Sequence, residues 1–142
     1  MKLIKLINGN LIKILGILFK CNWRRNFMLK EVLAKLKELG ILIRSFGVDE
    51  EELLENDKEC IVYTYGSIER SNRFRLDIRI IAKTLDRCLE IKENMEDLLV
   101  GIGDEVKVKK CTKITFEGGS SAIEKETETV HLLFTISFVG HR

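Results

Sequence analysis

The sequence predicts an α+β domain: about four strands in a mainly antiparallel sheet of two hairpins, with two helices packed on one face, in the order α-β-β-α-β-β. Three observations carry this. Residues 73–82 alternate apolar and charged side chains, and period two marks a strand with one buried face. Two stretches, 29–39 and 85–99, place apolar residues at the helical period. The last long run, 130–139, alternates again. With 142 residues, 45% of them hydrophobic and 32% charged, the chain is one domain's worth and lies outside the range of wholesale disorder. It has no proline, so glycine, asparagine and serine must do the punctuating.

The domain is expected from Met28 to Arg142, preceded by an apolar, basic extension over residues 1–27. That extension is interrupted by Asn8-Gly9-Asn10 and Lys13, and no small-residue cleavage site follows, so it fits neither a signal peptide nor a membrane span. Ile4, Ile7, Leu11, Ile14 and Leu18 fall on one helical face that suits packing on the domain, on a neighbouring subunit or on a membrane surface. The alternative is that Met28 is the natural start.

Leu29, Val32, Leu33, Leu36 and Leu39 form the stripe of the first helix, with Asn26 as N-cap and Gly40 at its C-terminal end. Ile41–Phe46 is apolar and short, and is read as a strand. Asp49–Glu59 holds seven acids and one lysine, a density that predicts a solvated turn or short exposed helix. Cys60–Tyr65 is β-branched and aromatic, hence a strand. In the next strand Phe74, Leu76, Ile78, Ile80 and Ala82 define the buried face. Arg73, Arg75, Asp77 and Arg79 form a ladder on the other.

Thr84 or Asp86 opens the second helix. Leu85, Leu89, Met95, Leu98 and Leu99, with Cys88 and Ile91, supply its stripe, and Gly101 or Gly103 ends it. Val106, Val108, Ile114 and Phe116 share one parity of a third strand, broken at Lys110 and Thr112 in the manner of a bulge. Gly118–Glu128 is read as a long polar connection whose Gly118-Gly119-Ser120-Ser121 forms a flexible hairpin tip. Val130, Leu132, Phe134, Ile136 and Phe138 then build the buried face of the final strand.

The residues show no familiar chemistry. The two histidines, His131 and His141, join no nucleophile elbow and no H-E-x-x-H motif. Gly101-Ile102-Gly103 lacks a third glycine, and Gly118-Gly119-Ser120-Ser121 lacks the lysine of a phosphate loop. The four cysteines (Cys21, Cys60, Cys88, Cys111) are too widely spaced for a zinc or redox motif, so free thiols are expected. No catalytic residue, metal site or cofactor is therefore predicted.

Charge is split along the chain. Residues 1–27 carry six bases and no acid; the remainder carries 18 bases against 22 acids, a net −4. A domain of that sign is a poor start for nucleic-acid binding, which depends on cationic contacts. The arginine ladder is the feature that invites a functional reading. It is either a solvated face, with Asp77 pairing to an arginine beside it, or an interface, because arginine is favoured at protein contacts. Asp49, Glu50, Glu51 and Glu52 offer an opposite-charge surface on a neighbouring copy, and Gly118–Ser121 a loop that orders on a partner.

From about Met28 to Val139 the layout resembles the tail-terminator (tail-completion) proteins of tailed phages and phage-tail-like bacteriocins. The likeness is carried by the helix Leu29–Leu39, the strands Cys60–Tyr65 and Arg73–Ala82, the helix Leu85–Leu99 and the strand Val130–Val139. The stretch RFRLDIRIIAKTLDRCLEIKENMEDLL is the part most similar to that family, whose members place a strand and then a helix there. The resemblance implies a non-enzymatic structural protein that forms a ring, usually a hexamer. Such a ring caps the last ring of the tail tube, stops its growth and offers a docking surface to sheath or head-connector proteins. It implies assembly in the bacterial cytoplasm, then residence in the virion or tail-like particle, and no small-molecule substrate. The first 27 residues depart from the family's pattern. The rival reading is a small nucleic-acid-binding module that uses Arg73, Arg75 and Arg79 with Lys107, Lys109 and Lys113.

Overall fold

Met28, Val32 and Leu36 recur every four residues, so a helix brings all three to one side, and all three are buried. The computed structural model describes residues 28–45, 59–67, 72–124 and 129–140. The extension 1–27 with Asn26, and the acidic positions Asp49, Glu50, Glu51 and Glu52, lie outside them. Helix α1 (residues 28–36) runs into a 3-10 turn, Lys37–Leu39, that Gly40 closes in the left-handed conformation at φ 70°.

Strand β1 (Leu42–Ser45) follows, and β2 (Cys60–Ser67) pairs with it in parallel. Strand β3 (Arg73–Ala82) returns antiparallel to β2, with Cys60 opposite Ile81 and Ser67 opposite Phe74. Its alternation is realised as expected. Phe74, Leu76, Ile78 and Ile80 are buried, while Arg73, Arg75 and Arg79 are exposed.

Helix α2 (Leu85–Leu99) begins at Thr84, whose hydroxyl accepts a 3.2 Å bond from the Arg87 amide and satisfies one otherwise unpaired donor of the first turn. Its buried stripe is Cys88, Ile91, Met95 and Leu99. Burial of each of the larger side chains contributes about 1.5–3 kcal/mol. Leu85 and Leu89, expected in that stripe, are instead 41% and 40% exposed. They lie one step round the helix, beyond the sheet's reach.

After α2 come the two-residue strand β4 (Gly101–Ile102) and a 3-10 turn, Gly103–Glu105. The long hairpin of β5 (Cys111–Glu124) and β6 (Thr129–Gly140) follows. Strand β6 inserts between β3 and β5, giving the sheet order β1-β2-β3-β6-β5-β4. On one face Phe74, Leu76, Ile78 and Ile80 stand opposite Phe138, Ile136, Phe134 and Leu132, and both helices bring their stripes into this single core. At one end Tyr65, Phe74 and Phe138 stack, with centroids 5.3–6.4 Å apart.

The α+β class holds, but the expected four-stranded sheet of two hairpins is corrected to a six-stranded mixed sheet. The two additional strands are β1, read from the sequence as the strand Ile41–Phe46 but not counted among the four, and β4, which at two residues is too short to show a period. The parallel sense of β1 and β2 depends on a partner distant in sequence. Two further corrections concern the second hairpin. Residues 106–110 are not strand: Val108 is buried in a turn, and Lys110 takes φ 62° before β5 begins at Cys111. Gly118-Gly119-Ser120-Ser121 is not a hairpin tip but strand, paired with Thr135, Phe134, Leu133 and Leu132. The expected bulge is found at Thr112, where the register shifts between Cys111 and Lys113, and a second shift lies between Phe116 and Gly118.

Candidate interaction surface

Because both helices pack on one face, the other is left to side chains. On β3 this outer face carries Arg73, Arg75, Asp77, Arg79 and Ile81, and on β6 it carries Val139, Ser137, Thr135, Leu133 and His131. Asp77 is held from two sides. Arg75 donates to one carboxylate oxygen at 2.9 Å, and the hydroxyl of Thr135, its cross-strand partner, donates to the other at 2.6 Å. One rung of the ladder is thus satisfied internally, as the solvated-face reading expected. Among the described residues, Arg73 and Arg79 are exposed and have no carboxylate partner.

The rest of this face mixes the apolar Ile81, Leu133 and Val139 with small polar residues. Thr115 and Ser137 share a 2.9 Å hydroxyl bond, and Gly118 and Ser120 lie beyond them on β5. His131 is 8% exposed and its Nε2 lies 3.2 Å from the Thr129 hydroxyl, a buried strand position. Lys107 is not on the face: it donates to the Asp97 carbonyl at 2.8 Å, supporting the C-terminal turn of α2. Lys109 lies in the turn before β5, while Lys113 stands opposite Val139 on the same face as Arg73.

The acidic stretch ends on the domain itself. Glu59 receives both Nε and Nη2 of Arg87, at 2.5 and 2.9 Å, and Arg87 also pairs with Glu90 at 2.9 Å. The Arg87 hydrogen bond holds the Glu59 carboxyl below its usual range, against a smaller opposing effect of burial. This clasp joins the start of β2 to the first turns of α2. Sequence reasoning missed it because nothing local links positions 28 residues apart.

Cys60, Cys88 and Cys111 are free, buried thiols, as expected; Cys21 lies outside the described residues. Burial, with a smaller push from Glu31, raises the Cys111 thiol to about 11, so it stays protonated and unreactive at neutral pH. Among the described residues no three His, Cys, Asp or Glu side chains are grouped to hold a metal ion. No described helix is long and apolar enough to cross a membrane.

A second surface was not legible. Among the described residues, the outer edge of β5 from Phe116 to Glu124 has no partner strand, since β4 pairs only with Ile114 and Lys113. Residues 117–123 are all exposed. Gly118 adopts φ 137° in open space. Gly119 is needed for a different reason: a Cβ there would lie 2.5 Å from the Leu133 carbonyl oxygen and 2.8 Å from the Phe134 Cβ. No protein-family model matches the chain, and neither does any curated protein.

Proposed function

We propose that the protein is a non-enzymatic structural component that assembles as a ring, caps a phage-type tail tube and joins it to the head connector. The observation that carries this reading is the outer face of β3. Arg73 and Arg79 stand exposed without carboxylate partners among the described residues, on a face that neither helix covers. A guanidinium offers a rigid fork of donors suited to carboxylates, so this face fits an acidic protein surface on the tube or connector. The resemblance of residues 73–99 to the tail-terminator family supplies the identity of that partner. Asp77 keeps Arg75 in place and gives the face its register.

The test is to add the purified protein to a polymerising tail-tube protein and measure tube length by electron microscopy. Shortened, uniform tubes are expected, and the double substitution Arg73→Glu with Arg79→Glu abolishes the effect while leaving the circular dichroism spectrum unchanged. Unaltered tube length with the wild-type protein overturns the reading. Salt-dependent binding to a DNA duplex in the same buffers selects the nucleic-acid module instead.

A further inference from the structure

The two edges of the sheet are unlike each other, and they match. One is β1, whose Leu42, Ile43 and Arg44 pair inward with β2 and have no strand outside them among the described residues. The other is β5 from Phe116 to Glu124. Open edges attract other strands, and proteins usually guard them with lysine, proline or cover. The β5 edge has no lysine or proline from Phe116 to Glu124; its residues 118–122 are Gly, Gly, Ser, Ser and Ala.

This edge lies beside an unfilled apolar strip. Lys92 sits 4.4 Å over the Phe116 ring, which fixes the flank of α2 that faces β5. Leu85 and Leu89 share that flank at helical spacing. On the same face of β5 the next positions are Gly119, Ser121 and the 74% exposed Ile123. Three large apolar side chains therefore border a floor with little side chain of its own.

We infer that a second copy of this chain occupies the site, adding its β1 edge to the β5 edge of the first. Strand directions favour it. With β1 and β2 parallel and each later pairing antiparallel, β5 runs opposite to β1. Copies that point the same way thus meet as an antiparallel pair with their helices on the same face. Parity allows Ile43, which packs against the core in its own copy, to stand opposite Gly119, and in that register it lies below Leu85 and Leu89. Arg44 then stands beside Gly118, one residue from Glu117.

Charge favours the same pairing. Arg44 and Glu117 are exposed and have no charged partner among the described residues. Pairing of β5 with itself, centred on Ser120–Ser121, sets Glu117 opposite Glu124 of the other copy, two like charges that disfavour it. Contacts between unlike edges run head to tail and close only when the rotation closes. This inference rests on the ring part of the proposed function, whose subunit contact it names, and not on the tail tube as the ring's partner.

The experiment is a charge swap read by sedimentation velocity from micromolar to millimolar protein. Arg44→Glu and Glu117→Arg each weaken self-association about tenfold, because each turns an attraction into a repulsion. An equimolar mixture restores it, since each variant's altered edge then faces an opposite charge. A wild-type protein that stays monomeric throughout overturns the inference. So does an Arg44→Glu variant that associates like wild type, or a mixture that associates no better than its components. A self-associating protein with no effect on tube length separates this result from failure of the tail-cap reading.

Discussion

Gly119→Ala tests the close approach between β5 and β6. A Cβ at 119 would stand 2.5 Å from the Leu133 carbonyl oxygen and 2.8 Å from the Phe134 Cβ. Carbon pairs rest at about 3.5 Å or more, so the strands must separate by at least about half an ångström. Neither neighbour is the loose end of a side chain: one is backbone, and the other is the Cβ of Phe134, whose ring packs tilted against Phe116 at 5.4 Å. Overpacking of this kind costs about 2 kcal/mol. Restricting the unfolded chain returns about 0.5 kcal/mol, leaving a net loss of about 1.5 kcal/mol. With a urea dependence of about 1.5 kcal/mol per molar, the unfolding midpoint falls by about 1 M. Ser121→Ala, two residues on and exposed, is the control and stays within about 0.5 kcal/mol of wild type. At Gly118 the loss arises from backbone conformation at φ 137°, so alanine and serine cost alike there. At Gly119 the loss grows from alanine to valine. A Gly119→Ala protein with the midpoint of the Ser121→Ala control refutes the argument.

Phe138→Ala removes a fully buried ring stacked on Phe74 at 5.3 Å and on Tyr65 at 6.4 Å. A loss of about 4 kcal/mol is expected in urea unfolding, against about 1 kcal/mol for Phe138→Leu. Glu59 has a depressed carboxyl pKa in the folded state, so its pair with Arg87 stabilises above about pH 4.5, and that contribution is lost as pH falls through the folded value. Both side chains are at least a third exposed, at 33% and 39%, so screening limits the contribution to about 0.5–1 kcal/mol. Glu59→Gln therefore lowers the midpoint at pH 7 and flattens its decline between pH 5 and 3; an unchanged slope counts against the clasp. Thr84→Ala removes the α2 N-cap and costs about 1 kcal/mol, whereas Thr84→Ser is nearly neutral in the same assay. Thiol labelling at pH 8, mapped by mass spectrometry, modifies Cys60, Cys88 and Cys111 only at the rate of unfolding.

Much of the fold was readable where the pattern is local. The two-faced strand Arg73–Ala82 was recovered with both its boundaries and its faces, since ten residues of strict alternation leave one arrangement that buries the apolar half. Gly40 was legible as a helix end and Thr84 as one of two candidate N-caps, with Asp86, because the chemistry of a helix end is written within a few residues of it. The site was less legible. The ladder residues and the Asp77 pairing followed from parity, but the role given to Gly118–Ser121 did not. Glycine and serine signal a turn when no partner is known, yet here Phe134 and Leu133 demand small residues in a strand. Leu85 and Leu89 matched the helical stripe in composition, and the sheet's extent left them outside it.

By itself, then, the sequence determined the α+β class, the buried faces of β3 and β6 and the glycine end of the first helix, because hydrophobic period and end chemistry act over a few residues. The tertiary structure decided the rest: that β6 enters between β3 and β5, that β1 joins in parallel, and that β5 is left with an open edge beside two exposed leucines. Those outcomes depend on which strands find each other across long separations. Backbone hydrogen bonds are alike at every position, so pairing leaves little trace in the side chains of either strand.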